Sequence, residues 1–565
     1  MAWPLSVAAL LLGLAATLGL SPHLFRFIGR QWGSAIRSRS QQRRELLLTR
    51  AAAEEAEEEE ARRKGGLHSP DPGKLAGSSS ASLDEEWEKV DQGAKAPTAP
   101  QSKTTGGKSD DDYAGVIAFF HPFCNAGGGG ERVLWAAILA TQARYPRALC
   151  VVYTGDHDAS KEMILGNVKT RFNIHLAPSR IAFLYLSSRE YVLASKWPHF
   201  TLLGQSIGSL ILGWEAFALL APDIYIDTMG YAFTSALSKW LFPSVPTASY
   251  VHYPTISTDM LSSLHSEITS GQGLNAGLGK GIKGKVKQLY WEYFAKLYSW
   301  VGGSVDVVMT NSSWTQNHIQ ALWQKSRTSR GKKRDISVLY PPCPVEELAD
   351  KIPVDSTSEK QRTRNILYIA QFRPEKMHDT IISAFHTFLK TYQQLWDPSS
   401  GRPSKPNLIL VGSVRDDHDE KRVYKLRLQA QEIKENVQFV INAKWDQILD
   451  FLKTSSVGVN GMWNEHFGIG VVEYQAAGLI PVVNDSGGPK HDIVVPIDGE
   501  PTGFHASTPQ AFADGFAQAL SLDEAAALRL RLRARESSWR FSEEVFRAGW
   551  LREMEALVRL TGMKG

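Results

Sequence analysis

Two glutamates eight positions apart, Glu465 and Glu473, lie in the stretch NEHFGIGVVEYQAAGLIPVVNDSGGPK. Glu465 follows a strand-like SVGVNGMW, and Glu473 falls one or two turns into a helix-like segment that opens at Phe467-Gly468-Ile469. Carboxylates accept hydrogen bonds from sugar hydroxyls, and the free N–H groups of a glycine-rich helix start suit a diphosphate. A nucleotide sugar carries both groups. The plainer alternative is an exposed pair that caps the helix. A second glycine-rich stretch, Gly127-Gly128-Gly129-Gly130, sits between the strand-like VIAFF and the helix-like ERVLWAAILATQ. Four glycines let the backbone approach a ligand closely, and the helix behind them favours a phosphate. No Lys-Ser/Thr follows, so it is not a Walker loop, and its spacing is not a dinucleotide fingerprint. Its alternative is a tight turn for helix–sheet packing.

Each stretch needs a strand end, a turn and a helix start held in order. From Tyr113 the chain supplies such units in two cycles. AGVIAFF, RALCVVYTGD, PDIYIDTMG, TASYVHYP and VDVVMTNSS read as strands that end in polar loops. A second cycle begins near Arg364 with RNILYIAQFRPEKMHDTIISAF and continues through PNLILVGSV, ENVQFVINA, SSVGVNGMW and LIPVVNDSGG. Strands alternating with helices imply parallel sheets covered on both faces. The expected fold is α/β, with two doubly wound, Rossmann-like domains facing a cleft and joined near Tyr340-Pro341-Pro342. Ligands of such sheets bind at the carboxyl edge of the strands, where both glycine-rich stretches fall. The expected divisions are 113–345, 346–522 and a C-terminal helical segment, 523–565, that packs back across the domains.

The 565 residues suit two to four domains, and 43% hydrophobic with 22% charged residues is ordinary for a globular chain. The net charge of +4 and the lack of any zinc-finger or aromatic RNA-binding motif argue against nucleic acid as a partner. Cys124, Cys150 and Cys343 are scattered, so neither a disulfide framework nor a structural zinc site is expected, and a reducing compartment fits. The acidic run Asp416-Asp417-His418-Asp419-Glu420 reads as a solvated loop rather than a metal site, and no metal ligands are assigned.

Ahead of the folded part, Ala2 to Phe25 contain no Asp, Glu, Lys or Arg. Residues 1–25 read as a transmembrane signal anchor. Arg26, Arg30, Arg37, Arg39, Arg43, Arg44 and Arg50 follow it, which places the bulk of the chain in the cytosol. Residues 26–112 read as a disordered basic and acidic tether in which AAAEEAEEEEARRK forms a solvated helix. Two further stretches are apolar. Phe200 to Pro222 reads as a core or interfacial helix rather than a span. Lys280 to Gly303, which mixes Lys with Tyr, Trp and Phe, suits an anionic membrane surface or an ordinary amphipathic packing role.

The segment E-H-F-G-I-G-V-V-E, with A-A-G-L-I-P-V-V and S-G-G-P behind it, resembles the E-x7-E signature of the retaining glycosyltransferase family 4, which has the GT-B fold. FFHPFCNAGGGGERVLW, YVHYPTISTDM, TNSSWT and QFRPEKMH are similar to the members that extend dolichol-linked oligosaccharides by α-1,2-mannosyl transfer at the endoplasmic reticulum. The resemblance covers essentially Tyr113 to the C-terminus. It implies GDP-mannose as donor substrate and dolichyl-diphosphate-linked Man3GlcNAc2 as acceptor, extended by two mannoses. No cofactor and no metal are implied. Further partners are the endoplasmic reticulum membrane and other mannosyltransferases of the route. By the same resemblance Glu465 touches the donor sugar, Glu473 the ribose, Lys376 the diphosphate and His252 the sugar from the opposite domain. Gly127 to Gly130 face the diphosphate. The family commonly has Arg five residues before its lysine; Gln371 stands there, which leaves Gln371 and Arg373 as rival partners for Lys376. Asp223 and Asp227 either orient the acceptor or cap a turn. The alternatives are another nucleotide sugar or lipid acceptor, and a membrane-tethered scaffold without activity.

Overall fold

The computed structural model describes residues 22–64, 113–262, 282–396 and 405–562. Most of the expected anchor, and the tether from residue 65 to 112, lie outside the described residues.

Unbroken apolar runs become strands that are buried on both faces. Val116–Phe120 (β1) and Leu149–Thr154 (β2) are buried at every residue. They join Ile181–Tyr185 (β3), Ile224–Asp227 (β4), Thr247–Val251 (β5), Val307–Thr310 (β6) and Ser337–Val338 (β7) in a sheet of order β3-β2-β1-β4-β5-β6-β7. Every pairing is parallel, with Ile117 in register with Cys150 on one side and Ile224 on the other. The second sheet repeats the plan. Ile366–Ile369 (β8), Leu408–Gly412 (β9), Val437–Ile441 (β10), Val457–Asn460 (β11), Ile480–Asn484 (β12) and Phe504–Ala506 (β13) run in the order β10-β9-β8-β11-β12-β13, again all parallel. In each sheet the direction of strand addition reverses once, between β1 and β4 and between β8 and β11. A crevice opens at the carboxyl edge of such a reversal.

The C-terminal helices tie the two units together. Helix Glu524–Ser538 belongs to the second: Arg531 is buried and donates to Glu359 at 2.7 Å, to the Ser456 carbonyl at 2.7 Å and to the Gly478 carbonyl at 2.9 Å. Helix Glu543–Gly562 crosses to the first. Its Phe546, Trp550, Met554 and Leu557 enter one apolar cluster with Ile117, Phe119 and Ile226. Trp550 Nε1 donates to Thr141 Oγ1 at 3.0 Å, so the buried indole is satisfied.

The N-terminal stretch departs from expectation. Residues 22–64, read mostly as tether, form a 43-residue helix, Pro22–Lys64, docked on the first sheet's unit. At 1.5 Å per residue it is about 64 Å long. Ile36, Leu47 and Ala51 are buried against Val116, Leu149, Val151 and Leu212. Arg44 pairs with Asp223 at 2.6 Å and Lys161 with Glu54 at 3.2 Å, while Arg180 pairs with Glu55. The apolar stripe is thin and surrounded by charge, and the acidic run finds basic partners far away in the chain. Close approach at the other end depends on Gly33, where a Cβ would lie 1.9 Å from the Leu241 carbonyl oxygen.

Helix Thr201–Leu219 is, among the described residues, the one helix long and apolar enough to cross a membrane. Its Gly204, Gly208, Leu212, Ala216 and Phe217 are buried within the domain, and Ile207, Ile211 and Trp214 are exposed on the other side. Helix Ile282–Gly302 likewise buries Phe294, Tyr298 and Val301 and exposes Val286, Leu289, Tyr293 and Trp300.

Two variants check this packing. Trp550→Ala is expected to lower unfolding free energy by about 3–5 kcal/mol in denaturant titrations, as loss of a buried aromatic does. Gly33→Val is expected to undock the N-terminal helix, seen as new proteolytic cuts between residues 34 and 64 while the cutting pattern beyond residue 113 is unchanged. Unchanged proteolysis would mean that Gly33 does not set the docking.

Candidate active site

Two loops at the carboxyl edge of the second sheet, from adjacent strands, meet in the crevice. After β8 the chain passes Gln371 and makes a 3-10 turn, Pro374–Lys376, pinned by a hydrogen bond of 2.5 Å from Tyr368 Oη to the Lys376 carbonyl. After β11 it reaches Glu465. Lys376 Nζ lies 2.5 Å from Glu465 Oε2 and 3.1 Å from Met462 Sδ. Burial works to raise the Glu465 carboxyl, but the charge and hydrogen bond of Lys376 outweigh it and hold the pKa below the ordinary value. Glu465 is therefore a carboxylate at neutral pH.

Gly468 caps the next helix, Ile469–Ala476, at φ +109°, a left-handed conformation that favours glycine. The turn aims the helix start into the crevice and places Glu473 further along it. Glu473 has no ion-pair partner within reach among the described residues. Burial raises its pKa, Arg132 opposes that, and Glu347 adds to it. The two carboxylates thus differ: one is held charged by a lysine, the other is poised closer to neutrality.

The first sheet faces this edge. β1 leads to Gly127-Gly130, and Gly128 caps helix Gly129–Arg144. The Gly128 N–H donates to Glu131 Oε2 at 2.5 Å, and Glu131 Oε1 lies 3.5 Å from His121 Nε2. A Cβ on Gly129 would fall 2.7 Å from Ile469 Cδ1, so the two glycine-rich helix starts nearly touch across the cleft. β5 ends at Val251, and His252 follows. Its Nε2 is buried and lacks a hydrogen-bond partner among the described residues. Burial, with help from the neighbouring His121, lowers its pKa to about 4 against the pull of Glu131. His252 is neutral at physiological pH and offers a hydrogen bond rather than a charge.

The cleft between these edges encloses about 1160 Å³. It brings together Gly127 to Gly130, His252, Gln371, Lys376, Glu465, Phe467, Gly468, Ile469 and Glu473. The Phe467 ring is buried against Tyr340 and Phe541, so that residue faces the cleft with its backbone. Three sequence candidates stand elsewhere. Asp223 precedes β4, at the amino edge, where it accepts from the Val116 N–H at 2.8 Å and from Arg44. Asp227 ends β4 fully buried, accepting from Ser249 Oγ at 2.9 Å and the Met229 N–H at 3.0 Å, with burial lifting its pKa to about 7. Both do structural work, one between elements and one in a turn. Arg373 lies near Glu375, at 3.9 Å, and is not among the residues lining the cleft, whereas Arg415 is.

Sequence reasoning also passed over Glu131, His121 and His466. Glu131 stood next to the glycine run, and His466 next to Glu465, so adjacency was the available signal. His121 gave none. Among the described residues no cluster of three or more His, Cys, Asp or Glu side chains is arranged for a metal ion. Asp416 starts a helix rather than a loop, accepting from the His418 and Asp419 N–H groups at 3.0 Å each. The site joins a lysine–carboxylate pair, two opposed helix starts and a neutral imidazole, a set suited to binding a diphosphate and leaving it more negative.

Comparison with known proteins gives the family and the fold. Residues 114–323 match the ALG11 mannosyltransferase N-terminus, and residues 353–537 match Glycosyl transferases group 1. The fold is similar to a glycosyltransferase from Rickettsia africae ESF-5, with a TM-score of 0.51 at 14% identity over 80% of this chain and 99% of that one. It is also similar to the N-terminal domain of Candida albicans trehalose-6-phosphate phosphatase, with a TM-score of 0.55 at 13% identity over 81% and 100%. The expected α/β fold, GT-B with two doubly wound units, is the one observed. A protein of Neurospora crassa named GDP-Man:Man(3)GlcNAc(2)-PP-Dol alpha-1,2-mannosyltransferase is 58% identical over 487 residues, 84% of this chain and 86% of its own length. Proteins of the same name from Mus musculus and Homo sapiens are each 44% identical, covering 78% and 79% of this chain and 87% of their own lengths. The chain belongs to this family of alpha-1,2-mannosyltransferases, within the glycosyltransferases of group 1.

Proposed function

We propose that this chain moves mannose from GDP-mannose, with retention of configuration, onto dolichyl-diphosphate-linked Man3GlcNAc2 and adds two α-1,2-linked residues. It does so at the cytosolic face of the endoplasmic reticulum membrane, held by a single N-terminal anchor. The observation that carries the reading is the Lys376–Glu465 pair, 2.5 Å apart in a cleft lined by glycine-rich helix starts from both sheets. The names of the relatives supply donor, acceptor and linkage.

In this reading residues 346–522 hold the donor and 113–345 the acceptor. The GDP diphosphate lies at the start of helix Ile469–Ala476, with Lys376 and Arg415 as the cations that meet its growing charge as it leaves. Arg415 takes the part first weighed for Gln371 and Arg373. Glu465 accepts from the mannose hydroxyls, Glu473 from the ribose, and neutral His252 reaches the sugar from across the cleft. The reaction follows a front-face course in this reading: the donor phosphate takes the proton of the acceptor hydroxyl as the sugar–phosphate bond opens and the new glycosidic bond forms on the same face. GDP-mannose is substrate, and no metal is required.

Transfer of labelled mannose to lipid-linked Man3GlcNAc2 by the purified protein tests the reading. A product two α-1,2-mannoses longer is expected, and well-folded protein that transfers nothing from GDP-mannose would overturn it. Glu465→Gln is expected to lower kcat by about 10²–10³ and, because it leaves the Lys376 charge without its partner, to lower Tm as well.

Glu473 makes a second, pH-linked prediction. Its folded pKa is raised, so its contribution to stability is full below the ordinary carboxylate value and is lost as pH rises through the folded value. Glu473→Gln removes that loss. The ligand-free variant is expected to gain more Tm over wild type at pH 7.5 than at pH 4, while its affinity for GDP falls. An equal Tm difference at both pH values, or unchanged GDP affinity, would sink the assignment.

A further inference from the structure

Two candidate chemical residues, one on each side of the cleft, have neighbours in the chain that touch each other. On the first domain His252 is followed by Tyr253, and helix Thr258–Ser262 begins a few residues on. On the second, Glu465 is flanked by Asn464 and His466. The His466 ring lies 4.3 Å from the Tyr253 ring and 5.4 Å from the Trp314 ring, stacked on the latter at 27°. Asn464 Nδ2 donates to Asp259 Oδ2 at 2.8 Å, a hydrogen bond between residues 205 positions apart. His318 lies beside Asp259, its Nε2 3.5 Å away with no hydrogen bond among the described residues, while its Nδ1 meets Thr258 Oγ1 at 2.5 Å.

The loop that carries Glu465 is built tightly on its own side too. Asn464 sits at φ +52°, in the left-handed region, and its N–H donates to Ser486 Oγ at 2.7 Å. The Glu465 carbonyl accepts from the Gly488 N–H at 2.8 Å. The backbone around Glu465 is therefore fixed by residues 486–488 of its own domain, and both adjoining side chains are held by the other domain. A non-glycine residue with positive φ at a functional loop is kept there by its surroundings. Here those surroundings include Asp259, across the cleft.

We propose that the Asn464–Asp259 hydrogen bond, with His466 seated against Tyr253 and Trp314, is an interdomain latch that sets Glu465 against His252. Asn464, Asp259, His466 and Tyr253 are positioning residues. Their contacts form when the two edges approach, so closure and alignment of the reacting groups are one event. The proposal rests on the roles given above to Glu465 and His252. A misplacement of about 1 Å can cost as much as 10²-fold in rate, so a latch of this kind acts on turnover more than on nucleotide affinity.

The test compares Asp259→Ala, Asn464→Gly and the double variant in the full-length protein. Glycine accepts the left-handed backbone, so Asn464→Gly removes the amide without adding strain. Each single variant is expected to lower kcat about tenfold or more while GDP affinity by calorimetry stays within about threefold. The double variant is expected to be no worse than the poorer single, because both remove one contact. Amide hydrogen exchange over residues 464–467, measured without substrate, is expected to quicken in each. Multiplying losses, unaltered kcat, GDP affinity that falls as far as kcat, or unchanged exchange would overturn the latch. Wild-type protein that fails to use GDP-mannose would overturn the donor assignment instead, and the exchange measurement would still decide the latch.

Discussion

The Lys376–Glu465 pair at 2.5 Å is the interaction on which the rest of the site depends. Desolvating either charge alone is costly, and removing one partner leaves the other stranded. Holding the pair therefore demands two loops fixed to within a fraction of an ångström. The second sheet supplies them because β8 and β11 are neighbours in space, on either side of the point where strand order reverses. Tyr368, inside β8, reaches forward to pin the lysine turn. Gly468, beyond Glu465, turns the chain so that a helix start points at the same spot. Doubly wound topology is thus the means by which residues 89 positions apart share one ion pair.

The facing edge must meet that pair in the right register, and much of the molecule serves this requirement. Helix Glu524–Ser538 packs on the second unit, and helix Glu543–Gly562 buries Trp550 in the core of the first. Arg132 meets the linker at the Pro342 carbonyl, 3.0 Å away, and also pairs with Glu543, so one side chain behind the glycine loop joins three segments. The N-terminal helix lies along the first unit, held by Arg44, Glu54 and Glu55.

How much of this could be read from the sequence depended on the range of the interaction. Glu465, Gly468 and Glu473 belong to one strand–turn–helix unit, and their spacing carries its own meaning. Lys376 and His252 were recognised through a family resemblance, and both line the cleft. Asp223 and Asp227 were partly legible: a residue before a strand stands at the amino edge of a parallel sheet, away from ligands, and Asp223 does. Asp227 ends the strand at the correct edge but turns inward to Ser249. The docking of residues 22–64 was hidden, because a stripe of Ile36, Leu47 and Ala51 is too sparse for a periodicity argument and the charge pairs are long-range. Contacts between domains, such as His466 on Tyr253, leave no local pattern at all.

The charged and polar groups of the cleft are unevenly matched among themselves. Glu465 shares the cation that a diphosphate would meet, burial works against the charged form of Glu473, and the Nε2 of His252 is buried with no partner among the described residues. A nucleotide sugar answers each point. In the proposed reading its phosphates would share Lys376, its ribose and sugar hydroxyls would give hydrogen bonds to the two carboxylates, and its sugar would engage the imidazole. Because His252 is neutral, it adds no positive charge to hold the departing diphosphate after transfer. In the proposed reading positive charge reaches the leaving group from Lys376, which it shares with Glu465, from Arg415 and from the helix starts, and its effect grows as charge develops there. Only the part of each interaction that is stronger in the transition state than with the bound donor can appear as rate.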